Sequence, residues 1–248
     1  MLLDVVLRCY DGGNVHTYAP RITGAQTPKA EVLKRCVRSL VASLTAVEHR
    51  LTILDDRCCE ETKRFIQSIP GVQILEAAPG NNASWLQAVE LCGRSDARYC
   101  YQVEDDYLHA PEAIPAMLAF MDLVRQKKLP NVVIHPYDDH DNYKADHLRP
   151  GYVLHGADRH WRTNTYSTAV CLAEPWIFRQ PEWERLARLY ETPEGRAQNV
   201  HEGTTINRIW HDGEARARLF TPLPSLAVAL NENEPPLFDW RHWWEHYA

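Results

Sequence analysis

The sequence lacks a hydrophobic run long enough to cross a bilayer, which takes about 20 consecutive apolar residues. Its start, MLLDVVLRCYDGG, carries Asp4 inside the apolar stretch and has neither a basic segment nor a small-residue cleavage site. We therefore expect this segment to form a first β-strand rather than a signal peptide, and we expect a cytoplasmic protein.

Metal and redox motifs built on cysteine or histidine are also missing. The seven cysteines contain no CxxC pair for zinc or redox work. Their number is odd and most lie within apolar or helical patterns, which favours buried, reduced thiols. The twelve histidines form no HExxH motif and show no tight zinc spacing, so a structural zinc site is not expected.

An excess of basic residues is absent as well. The formal net charge is -6 at pH 7, whereas a non-specific nucleic-acid-binding protein would carry a basic face. The composition is otherwise that of an ordinary globular protein, with 45% hydrophobic and 24% charged residues. A small-molecule or carbohydrate partner is favoured over nucleic acid, and 248 residues suffice for one large α/β domain.

Strand and helix signals alternate through the first half of the chain, which is typical of a parallel sheet flanked by helices. The predicted strands are Leu3–Cys9, Arg50–Leu54, Val72–Leu75 and Tyr99–Val103, and the predicted helices are Ala30–Ala46, Glu60–Ser68 and Ser84–Cys92. Ligands of such sheets bind beyond the carboxyl ends of the strands. Three of these ends carry acidic or amide residues, namely Asp55-Asp56, Asn81-Asn82 and Glu104-Asp105-Asp106.

The second half of the chain is less regular. Helical patterns cover Pro111–Lys128, Pro181–Tyr190 and His201–His211, and strand patterns cover Asn131–Ile134, Thr165–Leu172 and Leu226–Leu230. The stretch 135–161 is polar and has little periodicity, which predicts a long functional or mobile loop. Since no repeat and no linker interrupts the chain, we predict a single domain.

The acidic turn Glu104-Asp105-Asp106 follows the fourth predicted strand. Three adjacent carboxylates repel one another, and their clustering is costly without a compensating cation. Mg²⁺ or Mn²⁺ prefers such oxygen ligands, can bridge two phosphates, and neutralises charge that develops on a leaving diphosphate. The alternative interpretation is an acidic start to the helix that follows at Pro111.

The stretch from Leu51 to Met121 resembles the GT-A glycosyltransferases, particularly their family-2-like branch. The matching pieces are LTILDDRCCEET, GVQILEAAPGNNASWLQAVELC and YCYQVEDDYLHAPEAIPAMLAFM. The resemblance implies an α/β, Rossmann-like GT-A domain over 1–248, with a mostly parallel central sheet flanked by helices. Residues 1–110 would then bind the nucleotide sugar, and 111–248 would bind the acceptor and end in an aromatic tail.

By the same resemblance, residues at the strand ends contact the donor, and these are Asp55, Asp56, Asn82, Glu104 and Asp105. Asp55 and Asp56 would meet the nucleoside base, and Glu104 would face the ribose. Asp106 would be the leading ligand of Mn²⁺ or Mg²⁺, with Asp105 beside it and His211 as a third ligand. The turn reads EDD rather than a strict DXD, which leaves the division of roles among the three carboxylates open.

Two further residues are candidates for binding and catalysis. Arg8 ends the first predicted strand, which lies over the nucleotide in a GT-A fold, so that it either meets the base or diphosphate or pairs with a surface carboxylate. In the resembling branch an acid near the start of a later helix deprotonates the acceptor, and Glu202 in NVHEGTTINRIWHDG matches that position. His201 is a second candidate base, and Glu202 otherwise stabilises the helix N-terminus.

Aromatic residues raise two more alternatives. Trp161 either stacks on a sugar ring or packs under a loop, and Arg162 beside it can meet a phosphate. The tail FDWRHWWEHYA either docks on a membrane surface or partner, or caps the core as a C-terminal helix.

These features predict a metal-dependent glycosyltransferase of polysaccharide or glycoconjugate biosynthesis, peripheral at the inner face of the membrane if its tail docks there. It would move a sugar from a nucleotide diphosphate sugar to a glycan, lipid-linked or other glycoconjugate acceptor, with inversion. A nucleotidyltransferase of sugar phosphates is one alternative, although Asp11-Gly12-Gly13 does not match its Gly-rich phosphate loop. A non-catalytic carbohydrate-binding protein is another, and the clustered carboxylates argue against it.

Overall fold

The first half of the chain forms alternating strands and helices, as the sequence predicts. The computed structural model describes residues 2–12, 17–18, 27–129, 131–139, 143, 151–164, 170–183, 217–230 and 238–248. The helices of these ranges are α1 (Lys29–Leu44), α2 (Glu60–Gln67), α3 (Asn81–Arg94), α4 (Ala113–Gln126) and α5 (Arg241–His246), with a 3-10 helix at Pro175–Arg179.

The strands of the same ranges follow in chain order. They are β1 (Leu3–Cys9), β2 (Thr17–Tyr18), β3 (Thr27–Pro28), β4 (His49–Asp55), β5 (Gln73–Glu76), β6 (Tyr99–Glu104), β7 (Tyr107–His109), β8 (Val132–Ile134), β9 (Val153–Gly156), β10 (Arg159–Asn164), β11 (Cys171–Ala173), β12 (Arg218–Leu223) and β13 (Ala227–Ala229).

One nine-stranded sheet contains strands from both halves of the chain, in the order β5-β4-β1-β6-β11-β8-β12-β10-β9. Strands β5, β4, β1 and β6 pair in parallel, as do β8 and β12. Antiparallel β11 joins these two groups by pairing with β6 and β8. This arrangement confirms the predicted α/β class with a mostly parallel sheet flanked by helices.

The register of the parallel strands aligns their carboxyl ends. Cys9 lies opposite Asp55 across β1 and β4, and Arg8 lies opposite Glu104 across β1 and β6. Parallel strands end at a common edge, so the polar turns that follow β1, β4 and β6 meet there. The sheet therefore brings together strand ends that are about 50 to 100 residues apart in the sequence.

Side chains of the central strands alternate between two hydrophobic clusters, one on each face of the sheet. Val5 and Leu7 of β1 pack with α1, α4 and α5, whereas Val6 packs with α3 and the 3-10 helix. Full burial of such a side chain contributes roughly 1.5–3 kcal/mol. This apolar packing on both faces fixes the strands whose ends carry the polar turns.

The structure differs from the sequence prediction in the stretch 135–161. Strands β9 and β10 form a hairpin there, and Trp161 is a fully buried residue of β10 rather than part of a loop. The hairpin turns at Ala157 and Asp158, both with positive φ (51° and 60°), which is the backbone of a tight hairpin turn. This turn lacks the Asn-Gly or Asp-Gly signature by which such hairpins are predicted from sequence.

The aromatic tail caps the core. Trp240 and Trp244 are buried, and the guanidinium of Arg35 lies 4.1 Å from the centre of the Trp244 ring. Arg35 also donates a hydrogen bond to the Trp244 carbonyl at 3.0 Å. The C-terminal helix interpretation is therefore confirmed, while cytoplasmic location and a peripheral membrane contact stay predictions.

Two other predictions concern the cysteines and membrane-spanning segments. All seven cysteines are free thiols, and each except Cys59 is buried. Within the described ranges, no helix has the length and apolar character that crossing a membrane requires. Most of the predicted strand at Thr165–Leu172 and helix at Pro181–Tyr190, and all of the helix at His201–His211, lie outside the described residues.

Candidate functional site

A cleft of about 570 Å³ lies beyond the carboxyl ends of β1 and β6. This volume is within the range of small-molecule sites, which measure roughly 300–1,000 Å³. Its charged lining consists of the cations Arg8, Lys29 and Arg57 and the carboxylates Asp56, Glu104, Asp105 and Asp106. The cleft therefore collects most of the polar strand ends that the sequence analysis identified.

Arg8 holds Glu104 and the start of α3 together at the floor of the cleft. Its guanidinium donates to the carbonyl oxygen of Asn81 at 2.8 Å and to the side-chain oxygen of Asn81 at 2.9 Å. The same group forms an ion pair with Glu104. Only 13% of the Arg8 side chain is exposed, so this is a largely buried pair within the cleft rather than a surface pair.

Asp105 is held on both of its carboxylate oxygens. Oδ1 accepts a hydrogen bond from the Lys29 ammonium at 2.6 Å, and Oδ2 accepts one from the Tyr10 backbone N–H at 2.6 Å. Burial raises the pKa of Asp105, and Lys29 opposes this rise because its charge favours the ionised carboxylate. Asp105 thus links the ends of β1, α1 and β6.

Asp106 is buried next to Asp105 and shares the same cation. Its Oδ2 lies 3.9 Å from Lys29 Nζ, and its carbonyl oxygen accepts a hydrogen bond from the Leu230 N–H at 2.9 Å. The second bond anchors the backbone of the acidic turn to the residue that follows β13.

The two aspartates that follow β4 have different surroundings. Asp55 accepts the backbone N–H of Cys58 at 2.8 Å and lies 3.8 Å from Lys63 Nζ, and it does not line the cleft. Asp56 does line the cleft and pairs with the exposed Arg57 at 2.8 Å. Of the two predicted base contacts, Asp56 is therefore the one that the cleft can use.

Sequence reasoning missed or underrated several residues of the cleft. Asn81 rather than Asn82 contacts Arg8, because α3 begins at Asn81, three residues earlier than predicted; the Asn82 side chain is outside what the structure describes. Tyr10 lines the cleft with 42% of its surface exposed. Lys29 could have been found from its position at the predicted start of a helix, since a cation at a helix N-terminus is unfavourable without a nearby carboxylate.

Three predicted residues lie outside the described part of the chain. They are the candidate bases Glu202 and His201 and the candidate metal ligand His211. Their roles stay predictions.

Trp161 does not form a sugar platform, and a phosphate contact of Arg162 stays a prediction. Trp161 stacks on Phe120 with ring centres 4.1 Å apart and donates its indole N–H to the Gly156 carbonyl at 2.9 Å, which is the packed alternative. Arg162 forms an ion pair with the buried Asp138, and its guanidinium lies 4.4 Å from the centre of the Tyr143 ring. None of these side chains lines the cleft.

The acidic turn is the predicted binding site of Mn²⁺ or Mg²⁺. Such an ion needs carboxylate oxygens that are open to it, whereas both oxygens of Asp105 are taken and Glu104 pairs with Arg8. Within the described ranges, no three His, Cys, Asp or Glu side chains are grouped to hold a metal. As arranged, the acidic turn does not fit a divalent ion at Asp105 unless Lys29 is displaced, and metal dependence stays a prediction.

No protein-family model matches the chain, and no curated protein matches it either. Solved structures do. The galactosyltransferase LgtC, solved with donor and acceptor sugar analogues, is similar with a TM-score of 0.51 and 13% identity, over 88% of this chain and 72% of LgtC. TarS 1–349 from S. aureus in complex with UDP is similar with a TM-score of 0.53 and 10% identity, over 89% of this chain and 57% of TarS 1–349.

One further solved structure matches with a lower score. The 4-diphosphocytidyl-2C-methyl-D-erythritol synthase from Anaerococcus prevotii has a TM-score of 0.47 and 12% identity, over 94% of this chain and 93% of that one. A score this low carries no argument about function. The likeness to LgtC and TarS shows that the chain has the GT-A fold predicted from its motifs.

Proposed function

We propose that this chain is a glycosyltransferase that binds a nucleotide diphosphate sugar in the cleft beyond β1, β4 and β6. The observation that carries the proposal is the convergence of Arg8, Lys29, Asp56, Glu104 and Asp105 at the carboxyl edge of a parallel sheet, beside a cleft of about 570 Å³. Ligands of such sheets bind at this edge.

The lining suits a nucleoside. Asp56 offers a carboxylate to the N–H groups of a base, and the exposed ring of Tyr10 offers a stacking surface. Glu104 is oriented by Arg8 and can accept hydrogen bonds from ribose hydroxyls. These three residues would bind the nucleoside end of the proposed donor.

Two helix starts support a diphosphate site in the cleft. Lys29 is the first residue of α1, and Gly80 and Asn81 lie at the start of α3; all three line the cleft. Helix N-termini stabilise anions because each carries a partial charge of about +0.5. The side-chain charges of the lining sum to -1, from three cations and four carboxylates, and two helix starts roughly cancel that excess.

The acceptor is a glycan, a lipid-linked sugar or another glycoconjugate, bound by the second half of the chain. Glu202, outside the described residues, is the proposed base that deprotonates the acceptor hydroxyl. The hydroxyl oxygen then attacks the sugar carbon, the bond to the diphosphate breaks, and inversion results. LgtC, whose structure holds donor and acceptor sugar analogues, supports a role in sugar transfer.

A product assay tests the proposal against its alternatives. The protein is incubated with each of a panel of radiolabelled nucleotide sugars and with simple glycoside acceptors, and both nucleoside diphosphate and labelled glycan are measured. We expect equal amounts of nucleoside diphosphate and transferred sugar. Pyrophosphate formed from a nucleoside triphosphate and a sugar phosphate would indicate a nucleotidyltransferase. Glycan binding without any turnover would indicate a carbohydrate-binding protein.

A further inference from the structure

Lys29 occupies the place in the acidic turn where a cation is required. Its ammonium lies 2.6 Å from Asp105 Oδ1 and 3.9 Å from Asp106 Oδ2, between two carboxylates that are buried next to each other. Only 14% of the Lys29 side chain is exposed. A partly desolvated ammonium at these distances compensates charges that would otherwise repel each other.

Two other groups of the turn also have partners. Arg8 pairs with Glu104, and the Tyr10 N–H holds the other oxygen of Asp105. A divalent ion at Asp105 would therefore meet an ammonium within hydrogen-bonding distance of its first ligand. Two cations at such a short distance repel each other strongly in a partly buried site.

We infer that Lys29 is the cation of the acidic turn and takes the place of a divalent metal ion there. The inference rests on the proposed function for its second part, in which the ammonium also contacts the donor diphosphate. Lys29 starts α1 at the cleft wall, so its charge and the α1 N-terminus lie on the same side of the diphosphate. A lysine binds phosphate as a point charge, without needing the metal.

Lys34 provides a matched control. It lies five residues further along α1, forms an ion pair with Glu61, and has the same 14% side-chain exposure. It does not line the cleft. Replacing Lys34 by Met removes one positive charge from the same helix while leaving the acidic turn intact.

The first experiment measures Mn²⁺ binding alone, from the loss of the free-ion signal in electron paramagnetic resonance. We expect no binding by the wild type or by Lys34→Met at concentrations up to about 1 mM, the regime of weak protein sites for divalent cations. Lys29→Met should bind Mn²⁺, since Asp105 and Asp106 are then exposed to it. Tight Mn²⁺ binding by the wild type, or none by a folded Lys29→Met, overturns the inference.

Folding is controlled by a second variant. Lys29→Met leaves Asp105 without its ammonium, whereas Lys29→Met combined with Asp105→Asn removes both charges and leaves no buried carboxylate unpaired at that position. Circular dichroism checks both. If only the double variant folds, its nucleotide affinity is compared with that of the single variant Asp105→Asn. The difference between the two affinities then measures the contribution of Lys29.

The second experiment measures binding of UDP, GDP and CDP by calorimetry, in EDTA and in Mn²⁺. For the nucleotide that binds, we expect the wild-type affinity to be the same in both conditions and to fall about tenfold or more in Lys29→Met with EDTA. Lys34→Met should bind like the wild type. Wild-type binding that requires Mn²⁺ overturns the inference, while binding of none of the three nucleotides in either condition counts against the proposed function and leaves the Mn²⁺ result to judge Lys29.

Discussion

Two buried ion pairs among the described residues differ in their surroundings, because Lys29–Asp105 lines the cleft and Arg162–Asp138 does not. Lys29–Asp105 in the cleft and Arg162–Asp138 beyond β8 are similarly buried, with 7% and 6% of the aspartate side chains exposed. The second pair is closed by Tyr143, whose hydroxyl donates to Asp138 at 2.5 Å and whose ring covers Arg162. Equal burial of a charged pair therefore goes with two different surroundings in this fold.

The closed pair is expected to serve stability. Arg162→Ala should lower the free energy of unfolding by about 3–5 kcal/mol, because Asp138 would be left buried without its partner. Urea denaturation measures this. The exposed pair Arg98–Asp122 is the control, since Arg98→Ala should cost less than about 1 kcal/mol. Equal losses in the two variants would show that the closed pair is no more important than a surface pair.

The ion pairs that line the cleft, Lys29–Asp105 and Arg8–Glu104, should instead contribute to nucleotide binding. Glu104→Gln keeps the shape of the side chain but removes the charge that orients Arg8, so we expect nucleotide affinity to fall by about 1.5–3 kcal/mol, or roughly tenfold to a hundredfold. The free energy of unfolding in urea should fall less in Glu104→Gln than in Arg162→Ala. Calorimetry with the nucleotide that the wild type binds measures the first quantity. An unaltered nucleotide affinity together with a large loss of unfolding free energy in Glu104→Gln would show that this pair contributes to stability rather than to binding.

Acid should destabilise the core through two buried histidines. Burial lowers the pKa of His109 to about 3 and of His135 to about 4, so both stay neutral in the folded protein at pH values where the unfolded chain takes up protons. Their contribution is complete above the unfolded pKa of about 6.5 and is lost as the pH falls towards 4, at about 1.4 kcal/mol per pH unit for each histidine. Urea denaturation at a series of pH values measures the slope.

A matched pair of variants assigns that slope. His135→Gln should flatten the acid limb of the stability profile, while the exposed His155→Gln should leave it unchanged. A profile that keeps its slope in His135→Gln would place the acid sensitivity elsewhere.

The smallest effect is expected outside both regions. Lys128 follows the C-cap of α4 with φ 56°, a conformation that costs a lysine more than a glycine. Lys128→Gly should raise the free energy of unfolding by up to about 1 kcal/mol and leave nucleotide affinity unchanged. Thermal denaturation measures the gain, and Lys127→Gly, at a negative φ of -79°, should give a loss instead.

Much of the site could be predicted because its residues follow strands of strong hydrophobic character. Cys9, Asp55 and Glu104 end β1, β4 and β6, and each strand is marked in the sequence by a run of buried residues. Parallel pairing then requires their ends to meet. The hairpin of β9 and β10 could not be predicted, because β10 is held by pairing with β12, and β9 by pairing with β10, rather than by a pattern of their own.

The partners of each charge depended on contacts across the fold. Lys29 and Asp105 are 76 residues apart, and Arg8 and Glu104 are 96 apart, so no local pattern relates them. The sequence also could not separate Asp55, which closes its own turn, from Asp56, which lines the cleft.

The sequence by itself determined the α/β alternation and the position of the acidic turn, because these depend on the period of apolar residues along single segments. Its resemblance to the GT-A glycosyltransferases implied the GT-A fold. Only the tertiary structure decided which cation meets that turn. An ion pair forms where two distant segments are brought within a few ångströms, and here packing against the sheet brings the start of α1 to the end of β6.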